Sequence, residues 1–210
     1  MSLTLVTGPA LEPVSLEEAK QHCRIDSTDD DGLLAGYILA ARSHCETYTR
    51  RAFITQTWDY RISNAYADNL CVSGWPAVRQ GGYWYPRITL PKPPLISVTS
   101  ISYVDTAGAT QTLAADQYLV NPYSNEGIID PAYGVTWPQV RTQMNAITVR
   151  FVCGYGTNPG NVQELERVRQ AMLLMIGSWY ENRESVNVGN IVNEMPLGVE
   201  ALLFPLRVFY

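Results

Sequence analysis

The chain has 210 residues, of which 46% are hydrophobic and only 17% are charged, and its formal net charge at pH 7 is −5. This length is sufficient to bury a sizeable core in one large domain. The low charged fraction suggests that partners cover part of the surface. Proteins that grip nucleic acid usually carry a basic patch, and this sequence has no run of lysine and arginine. Electrostatic DNA binding is therefore not expected.

The four cysteines and two histidines show none of the close spacings that are typical of a zinc site. No signal peptide and no membrane-spanning segment is evident, so we expect synthesis in a reducing cytoplasm with free, mostly buried thiols. The sequence predicts no metal, no cofactor and no contact with a membrane.

Two helices are predicted in the first quarter of the chain. Residues 1–13 contain two prolines and a glycine and are predicted to form an extended arm. A capping box at Ser15–Glu18 predicts a short helix to about Arg24. An acidic connector, 26–31, then leads into a second helix from about Asp30 to Arg51, because carboxylates favour a helix N-terminus. Its apolar stripe is wide enough to contact two neighbours.

From Ile54 the hydrophobic period changes to the alternation that is typical of strands. Within this part of the chain, 81–86 is predicted to be a loop that contains three consecutive aromatic residues. The predicted strands are 55–62, 69–75, 87–90, 96–104, 110–113, 118–120, 128–129 and 146–152.

A long central helix is predicted over 161–184. Its apolar residues recur at spacings of three and four, and the unbroken apolar run Ala171–Ile176 indicates burial on more than one side. The last sixteen residues are also apolar, with Glu200 and Arg207 as their only charged members. A segment this apolar must dock, either on the chain's own helices or on a partner.

These patterns predict an α+β fold. The two N-terminal helices and the long C-terminal helix form a helical bundle, 12–52 and 160–184, with a β-rich insertion of antiparallel strands, 54–157. An extended apolar C-terminal tail, 185–210, follows, and the whole chain, 1–210, is predicted to act as a single domain.

Two groups of residues are candidates for ligand chemistry. The aromatic residues Trp75, Tyr83, Trp84 and Tyr85 could bind sugars or bases by stacking, although contact with another protein fits their composition better. The aspartates 29–31 suggest a metal-dependent hydrolase, but consecutive side chains diverge and a solvated helix start explains them better. No catalytic motif is present, so no enzymatic activity is predicted.

Several strings, in this order along the chain, carry a resemblance to a known family. They are PVSLEEAK at 13–20, YTRR at 48–51, TQTW at 55–58, LPKPPLISVTSISYVD at 90–105 with Gly108, VCGYG at 152–156, WYENRE at 179–184 and LLFPLR at 202–207. The chain resembles the head–tail connector (adaptor, or head-completion) proteins of lambda-like tailed bacteriophages, prophages and gene transfer agents. It departs from the family pattern at 65–87, which is longer and richer in aromatic residues.

The resemblance implies a structural virion protein at the head–tail junction, assembled in the bacterial host cytoplasm. It implies a ring, a dodecamer in this family, between the portal protein and a tail-side head-completion or stopper protein. DNA would pass through the ring without specific binding. A carbohydrate- or receptor-binding module of a phage particle, built on the aromatic loop, is the alternative.

Two sets of residues are candidates for partner contacts. The first rests on aromatic composition and not on the resemblance: Trp75, Tyr83, Trp84 and Tyr85 are candidates for a contact with a tail-side protein or a neighbouring subunit. The apolar C-terminal tail corresponds to the end that docks on the portal, so its removal, residues 195–210, is expected to abolish portal binding and leave a folded protein. The predicted contacts with the portal or a neighbouring subunit are Leu197, Leu202, Leu203, Phe204, Leu206, Arg207 and Phe209.

Overall fold

The structure is a computed structural model that describes residues 1–63, 71–72, 75–80, 83–156, 163–182 and 197–209. It has an α+β fold in which all the strand pairs are antiparallel. The helices are α1 (Leu16–Cys23), α2 (Asp31–Thr49), α3 (Gln163–Glu181) and α4 (Leu197–Leu203). The strands are β1 (Ser2–Thr7), β2 (Gln56–Ile62), β3 (Cys71–Val72), β4 (Trp75–Gln80), β5 (Tyr83–Pro86), β6 (Ile88–Leu90), β7 (Leu95–Val104), β8 (Thr110–Thr112), β9 (Tyr118–Asn121), β10 (Gly127–Pro131) and β11 (Ile147–Cys153).

The chain divides into two compact units. The sheet unit comprises Met1–Gly8 and Thr55–Gly154, and the helical unit comprises Pro9–Ile54 and Tyr155–Tyr210. Among the described helices, none combines the length and the apolar character needed to span a membrane. That the whole chain acts as one domain stays a prediction.

The sheet unit is built on a five-stranded sheet with the order β1-β2-β11-β7-β8. Along β11, Ile147, Val149 and Phe151 are buried while Arg150 between them is exposed. This alternation gives the sheet one core face and one polar face. Two three-stranded sheets, β6-β10-β9 and β3-β4-β5, complete the unit.

Three elements of the sheet unit differ from the sequence predictions. Residues 2–7 lie within the predicted extended arm but form the edge strand β1, in register with Arg61 through Thr57 of β2. The predicted strand 69–75 reaches only the first residue of β4, and 83–86, predicted to be part of a loop, forms β5. In each case a pairing with another strand fixes the conformation, and a short segment's own period does not reveal such a partner.

The helical unit packs α1, α2 and α3 around one apolar core. Ser15 accepts a hydrogen bond from the Glu18 N–H, and Glu18 accepts from the Ser15 N–H, so the predicted capping box at the start of α1 is confirmed. In α3 the predicted apolar face is buried at Leu165, Val168 and Met172, whereas Leu174 on the opposite side is 43% exposed. The apolar run of α3 therefore extends beyond the face that its own unit buries.

The C-terminal segment differs from the extended tail predicted for 185–210. Within its described part, Leu197–Leu203 is the helix α4 and Phe204–Leu206 is a 3₁₀ turn. Val199, Leu203 and Leu206 are buried in the core of the helical unit. Spacings of four and three place these side chains on one helical face, so the segment packs on its own unit.

Candidate partner-binding site

The C-terminal segment is held against the end of α2 by main-chain contacts. Arg51 Nε donates a hydrogen bond of 2.6 Å to the Leu206 carbonyl, and the Val208 N–H donates one of 3.0 Å to the Thr49 carbonyl. Arg51 Nη1 also donates to the Tyr155 hydroxyl at 3.4 Å. These bonds fix the position of 204–209 although the segment has little regular structure.

This anchoring brings an aromatic cluster to the surface, formed by Tyr48, Phe204, Arg207 and Phe209. The rings of Phe204 and Phe209 meet edge to face with centroids 6.0 Å apart, and the two residues are 55% and 66% exposed. The Arg207 guanidinium lies over the rings of Tyr48 and Phe209, 5.0 Å and 5.3 Å from their centroids. Cation–π contacts of this kind hold a cationic head group beside apolar surface.

The polar groups of the cluster are arranged around the Tyr48 hydroxyl, which donates a hydrogen bond of 3.1 Å to Glu200 Oε1. Loss of solvent around the ring and the Glu200 carboxylate raise the pKa of Tyr48, while the Arg207 charge acts in the opposite direction. Arg207 Nε is buried and has no hydrogen-bond partner among the described residues. The cluster thus presents two exposed aromatic rings beside one cation.

The predicted partner contacts on this segment fall into an exposed group and a buried group. Phe204 and Phe209 are exposed, and Leu202 and Arg207 are partly exposed. Leu203 and Leu206, with 0% and 8% exposure, belong to the core and are not available to a partner. The side chain of Leu197 lies outside the described residues.

Of the candidate contacts on the aromatic segment, only Trp75 has a side chain within the described part of the structure. Trp75 is fully buried, stacked on Trp137 at 4.5 Å, and its Nε1 donates to the Pro138 carbonyl. It is therefore a core residue of the sheet unit rather than a contact residue. Tyr83, Trp84 and Tyr85 lie on β5, which pairs with β4 as a hairpin, and their side chains lie outside the described residues. A stacking platform built on this segment thus lacks Trp75.

The acidic connector has structural partners. Asp30 accepts a hydrogen bond of 2.6 Å from the Tyr180 hydroxyl, and Asp31 pairs with Lys20 at 2.8 Å. Within the described ranges, no group of three His, Cys, Asp or Glu side chains is placed to hold a metal ion. The geometry therefore ties two of the aspartates to neighbouring helices.

The thiols of Cys23 and Cys45 are not activated. Burial raises the pKa of Cys45 to about 12, and burial together with the Glu181 charge raises the pKa of Cys23. A raised pKa suppresses the nucleophilic thiolate form.

Sequence reasoning missed three residues that form this site: Tyr48, Arg51 and Glu200. Tyr48 and Arg51 belong to one of the strings that carry the family resemblance, YTRR at 48–51. A usable signal was present, because Glu200 and Arg207 are the only charged residues in an otherwise apolar segment. Such isolated charges next to apolar surface often hold a polar partner.

Part of the chain matches a known family. Residues 13–77 match the family described as phage gp6-like head–tail connector proteins. The matched range covers α1, α2, β2 and β3 and the start of β4. No curated protein sequence matches the chain significantly.

Solved structures match over the whole chain. A chain of the virion of a native gene transfer agent particle has a TM-score of 0.72 and 25% identity, with 100% of this chain and 97% of that chain covered. A chain from the neck of the empty particle, computed with C6 symmetry, has a TM-score of 0.72 and 24% identity at the same coverage. A chain from the neck of the native particle, computed with C12 symmetry, has a TM-score of 0.71 and 24% identity, with 100% of this chain and 97% of that chain covered.

The resemblance to head–tail connector proteins is therefore confirmed. The family that residues 13–77 match is described as one of head–tail connector proteins, and the similar solved chains are components of a virion.

Proposed function

We propose that the chain forms a ring between the portal protein and a tail-side head-completion or stopper protein in a phage-like virion, after assembly in the host cytoplasm. The observation that carries this proposal is the likeness over 100% of the chain to a component of a gene transfer agent virion. In this proposal the helical bundle of α1, α2 and α3 carries the C-terminal segment toward the portal. The β4–β5 hairpin, with Tyr83, Trp84 and Tyr85, contacts the tail-side protein or a neighbouring subunit.

The outer face of α2 supports association with a neighbouring copy. No exposed residue of this helix is Asp, Glu, Lys or Arg, and Leu33 and Leu39 are 36% and 56% exposed. A Cβ atom added at Gly32 or Gly36 would meet nothing within 4 Å. Glycine within a helix costs about 1 kcal/mol relative to alanine, and the fold of this unit gives no steric reason for either glycine. In this proposal, the close approach of a neighbouring chain is the reason for both glycines.

The charge distribution supports passage of DNA without adhesion. The sheet unit contains equal numbers of acidic and basic residues, so the whole net charge of −5 resides in the helical unit. Each phosphate contact made by a cation adds affinity and salt dependence. A ring that DNA must traverse functions better with few such contacts, and a dodecamer of this chain would be strongly acidic.

The aromatic cluster is the proposed contact with the portal. Exposed aromatic rings beside an arginine are the residue types that dominate binding energy in protein interfaces. Phe204 and Phe209 present such rings, and Arg207 presents the cation. A partner carbonyl or carboxylate could accept hydrogen bonds from the guanidinium.

The test is capture of the purified chain by the immobilised portal protein encoded beside it, followed by negative-stain imaging of the complex. We expect a collar of density on the portal with the wild-type chain. Phe204→Ser combined with Phe209→Ser should weaken capture at least about tenfold. Truncation of such aromatic anchors costs roughly 2 kcal/mol or more of binding free energy.

Leu119→Ser is the matched control, since this residue of β9 is 61% exposed and lies in the sheet unit. Capture that is unchanged by the phenylalanine substitutions would contradict docking through the cluster. A wild-type chain that ignores the portal would contradict the connector function itself. Deletion of 195–210 is no longer a clean test, because it removes core residues Val199, Leu203 and Leu206.

A further inference from the structure

The five-stranded sheet has two open edges that lie on opposite sides of the same sheet. β1 pairs with β2, and no described strand pairs with the other side of Ser2–Thr7. On the far side, β8 covers β7 only from Ser102 to Val104, and the Leu113 N–H bonds to the Ile101 carbonyl. Along Ile96–Ser100, no described strand pairs with this side of β7, the side that faces away from β11.

Both edges lack the usual protection against strand addition. Neither Ser2–Thr7 nor Ile96–Ser100 contains a charged residue or a proline, which are the residues that most often protect an edge. Leu5 and Val6 are 47% and 44% exposed, and Ile96 on the other edge is 46% exposed. Leu5 and Val6 lie where the register of β1 against β2 shifts, and both expose an apolar side chain at this edge.

Each edge does carry β-bulges. The register of β1 shifts between Leu5 and Thr7, and β7 has two shifts opposite β11. Bulges bend a strand and increase its twist, so they reject most flat partner strands. A partner must follow the same curvature, which favours one register over indiscriminate pairing.

We propose that β1 of one copy pairs with the Ile96–Ser100 edge of a second copy, so that the sheet continues from subunit to subunit. The two edges have similar lengths of six and five residues and the same uncharged, β-branched composition. They form two unlike patches on one chain, which is the requirement for a head-to-tail ring. This proposal rests on the proposed ring and specifies how neighbouring subunits meet.

The strand directions are consistent with this pairing. β1 is antiparallel to β2, β2 to β11, and β11 to β7. β1 and β7 therefore run in opposite directions, and the β1 strand of a similarly oriented copy would be antiparallel to β7. The junction would repeat the pairing that every strand pair of the sheet already uses. An isologous dimer through two β1 strands would leave the β7 edge unused.

The test introduces opposite charges on the two edges. One variant carries Leu5→Lys and Val6→Lys, and the other carries Ile96→Glu and Ser97→Glu; all four residues are exposed, so folding should be retained. Self-association is followed by sedimentation velocity from low micromolar to several hundred micromolar protein. We expect each variant alone to associate at least about tenfold more weakly than the wild type, because an edge charge is buried without a partner.

Mixing the two variants should restore association. In an assembly in which the two variants alternate, every second junction joins the unaltered β1 of one variant to the unaltered Ile96–Ser100 edge of the other. The remaining junctions join the lysines on β1 to the glutamates on the Ile96–Ser100 edge, so every junction can form. The variant with Leu119→Lys and Tyr123→Lys, at sites 61% and 96% exposed, adds the same charge away from both edges and should behave as the wild type.

The proposal is overturned if both edge variants associate like the wild type, if the mixture does not recover association, or if the wild-type chain stays monomeric throughout. Loss of association in the β1 variant alone would indicate a β1–β1 dimer and would also overturn it. Portal capture measured in parallel decides the connector function separately, because a chain can bind the portal without pairing through its sheet edges.

Discussion

Asp59 is a buried carboxylate on the otherwise polar face of β2, and it is held by one cross-strand partner. Arg150, directly opposite on β11, donates to it from Nε at 2.8 Å and Nη2 at 2.9 Å. This bidentate hydrogen bond lowers the pKa of Asp59 against the opposing effect of burial, and the charges of Arg150 and Arg61 lower it further.

The lowered pKa makes Asp59 a source of acid-dependent stability. A carboxyl group with a depressed pKa stabilises the folded state above its unfolded pKa, near 3.8, and loses that contribution as the pH falls through the folded value. We predict that Asp59→Asn lowers the free energy of unfolding at pH 7 by about 1 kcal/mol, a value reduced because Arg150 is partly exposed.

Urea denaturation at pH 7 and at pH 3 measures this contribution. The difference between wild type and variant should shrink at pH 3, because the carboxyl of the unfolded chain, with a pKa near 3.8, is then largely protonated. Asp116→Asn is the control, since Asp116 is exposed in the 3₁₀ turn Ala115–Gln117. An equal difference at both pH values would show that the hydrogen-bond geometry matters and the charge does not.

At the scale of elements, local signals were sufficient for α1, α2 and α3 and for most strands. The Ser15–Glu18 capping box defines the start of α1, and the shift to alternation after Ile54 predicts β2 within one residue. β1, β4 and β5 were not predicted, because each owes its conformation to pairing with another strand. α4 was missed for a related reason: its seven residues are stabilised by burial against other helices more than by their own propensity.

The candidate site could be predicted only as a segment. An apolar C-terminus indicates docking, but the sequence does not distinguish which side chains face the core. Leu203 and Leu206 face inward and Phe204 faces outward because α4 and the 3₁₀ turn set the direction of each residue. Tyr48 and Arg51 join the site through tertiary contacts that span more than 150 residues of sequence.

Arg51 is the element-scale anchor of the C-terminal segment, since it donates to the Leu206 carbonyl at 2.6 Å. We predict that Arg51→Met loosens 204–209 selectively and lowers the free energy of unfolding by about 1–3 kcal/mol, because a buried carbonyl loses a charged donor. Hydrogen exchange should accelerate in 197–209 more than in α2 or α3.

Arg167→Met is the matched control for this substitution. Arg167 is an exposed residue of α3, so its replacement by methionine removes the same charge without removing the anchor. Equal acceleration of exchange throughout the helical unit would mean that Arg51 supports the whole core rather than the C-terminal segment.

For the whole molecule, the charge distribution sets the expected behaviour toward DNA. All of the net negative charge lies in the helical unit, and the described basic residues of the sheet unit include two, Arg87 and Arg150, that are paired with Asp130 and Asp59. Nonspecific DNA binding comes almost entirely from neutralised phosphates, and its affinity falls steeply with salt.

We predict no measurable binding of duplex DNA by fluorescence anisotropy at about 0.1 M salt, where nonspecific binders reach dissociation constants of roughly 10⁻⁴–10⁻⁶ M. The comparison is a triple variant, Glu17→Lys, Asp29→Lys and Glu164→Lys, at three exposed positions of the helical unit. This variant removes the net negative charge and should acquire weak, salt-sensitive binding. Salt-dependent binding by the wild-type chain would mean that its few cations form a phosphate track, and would contradict a ring that lets DNA pass without holding it.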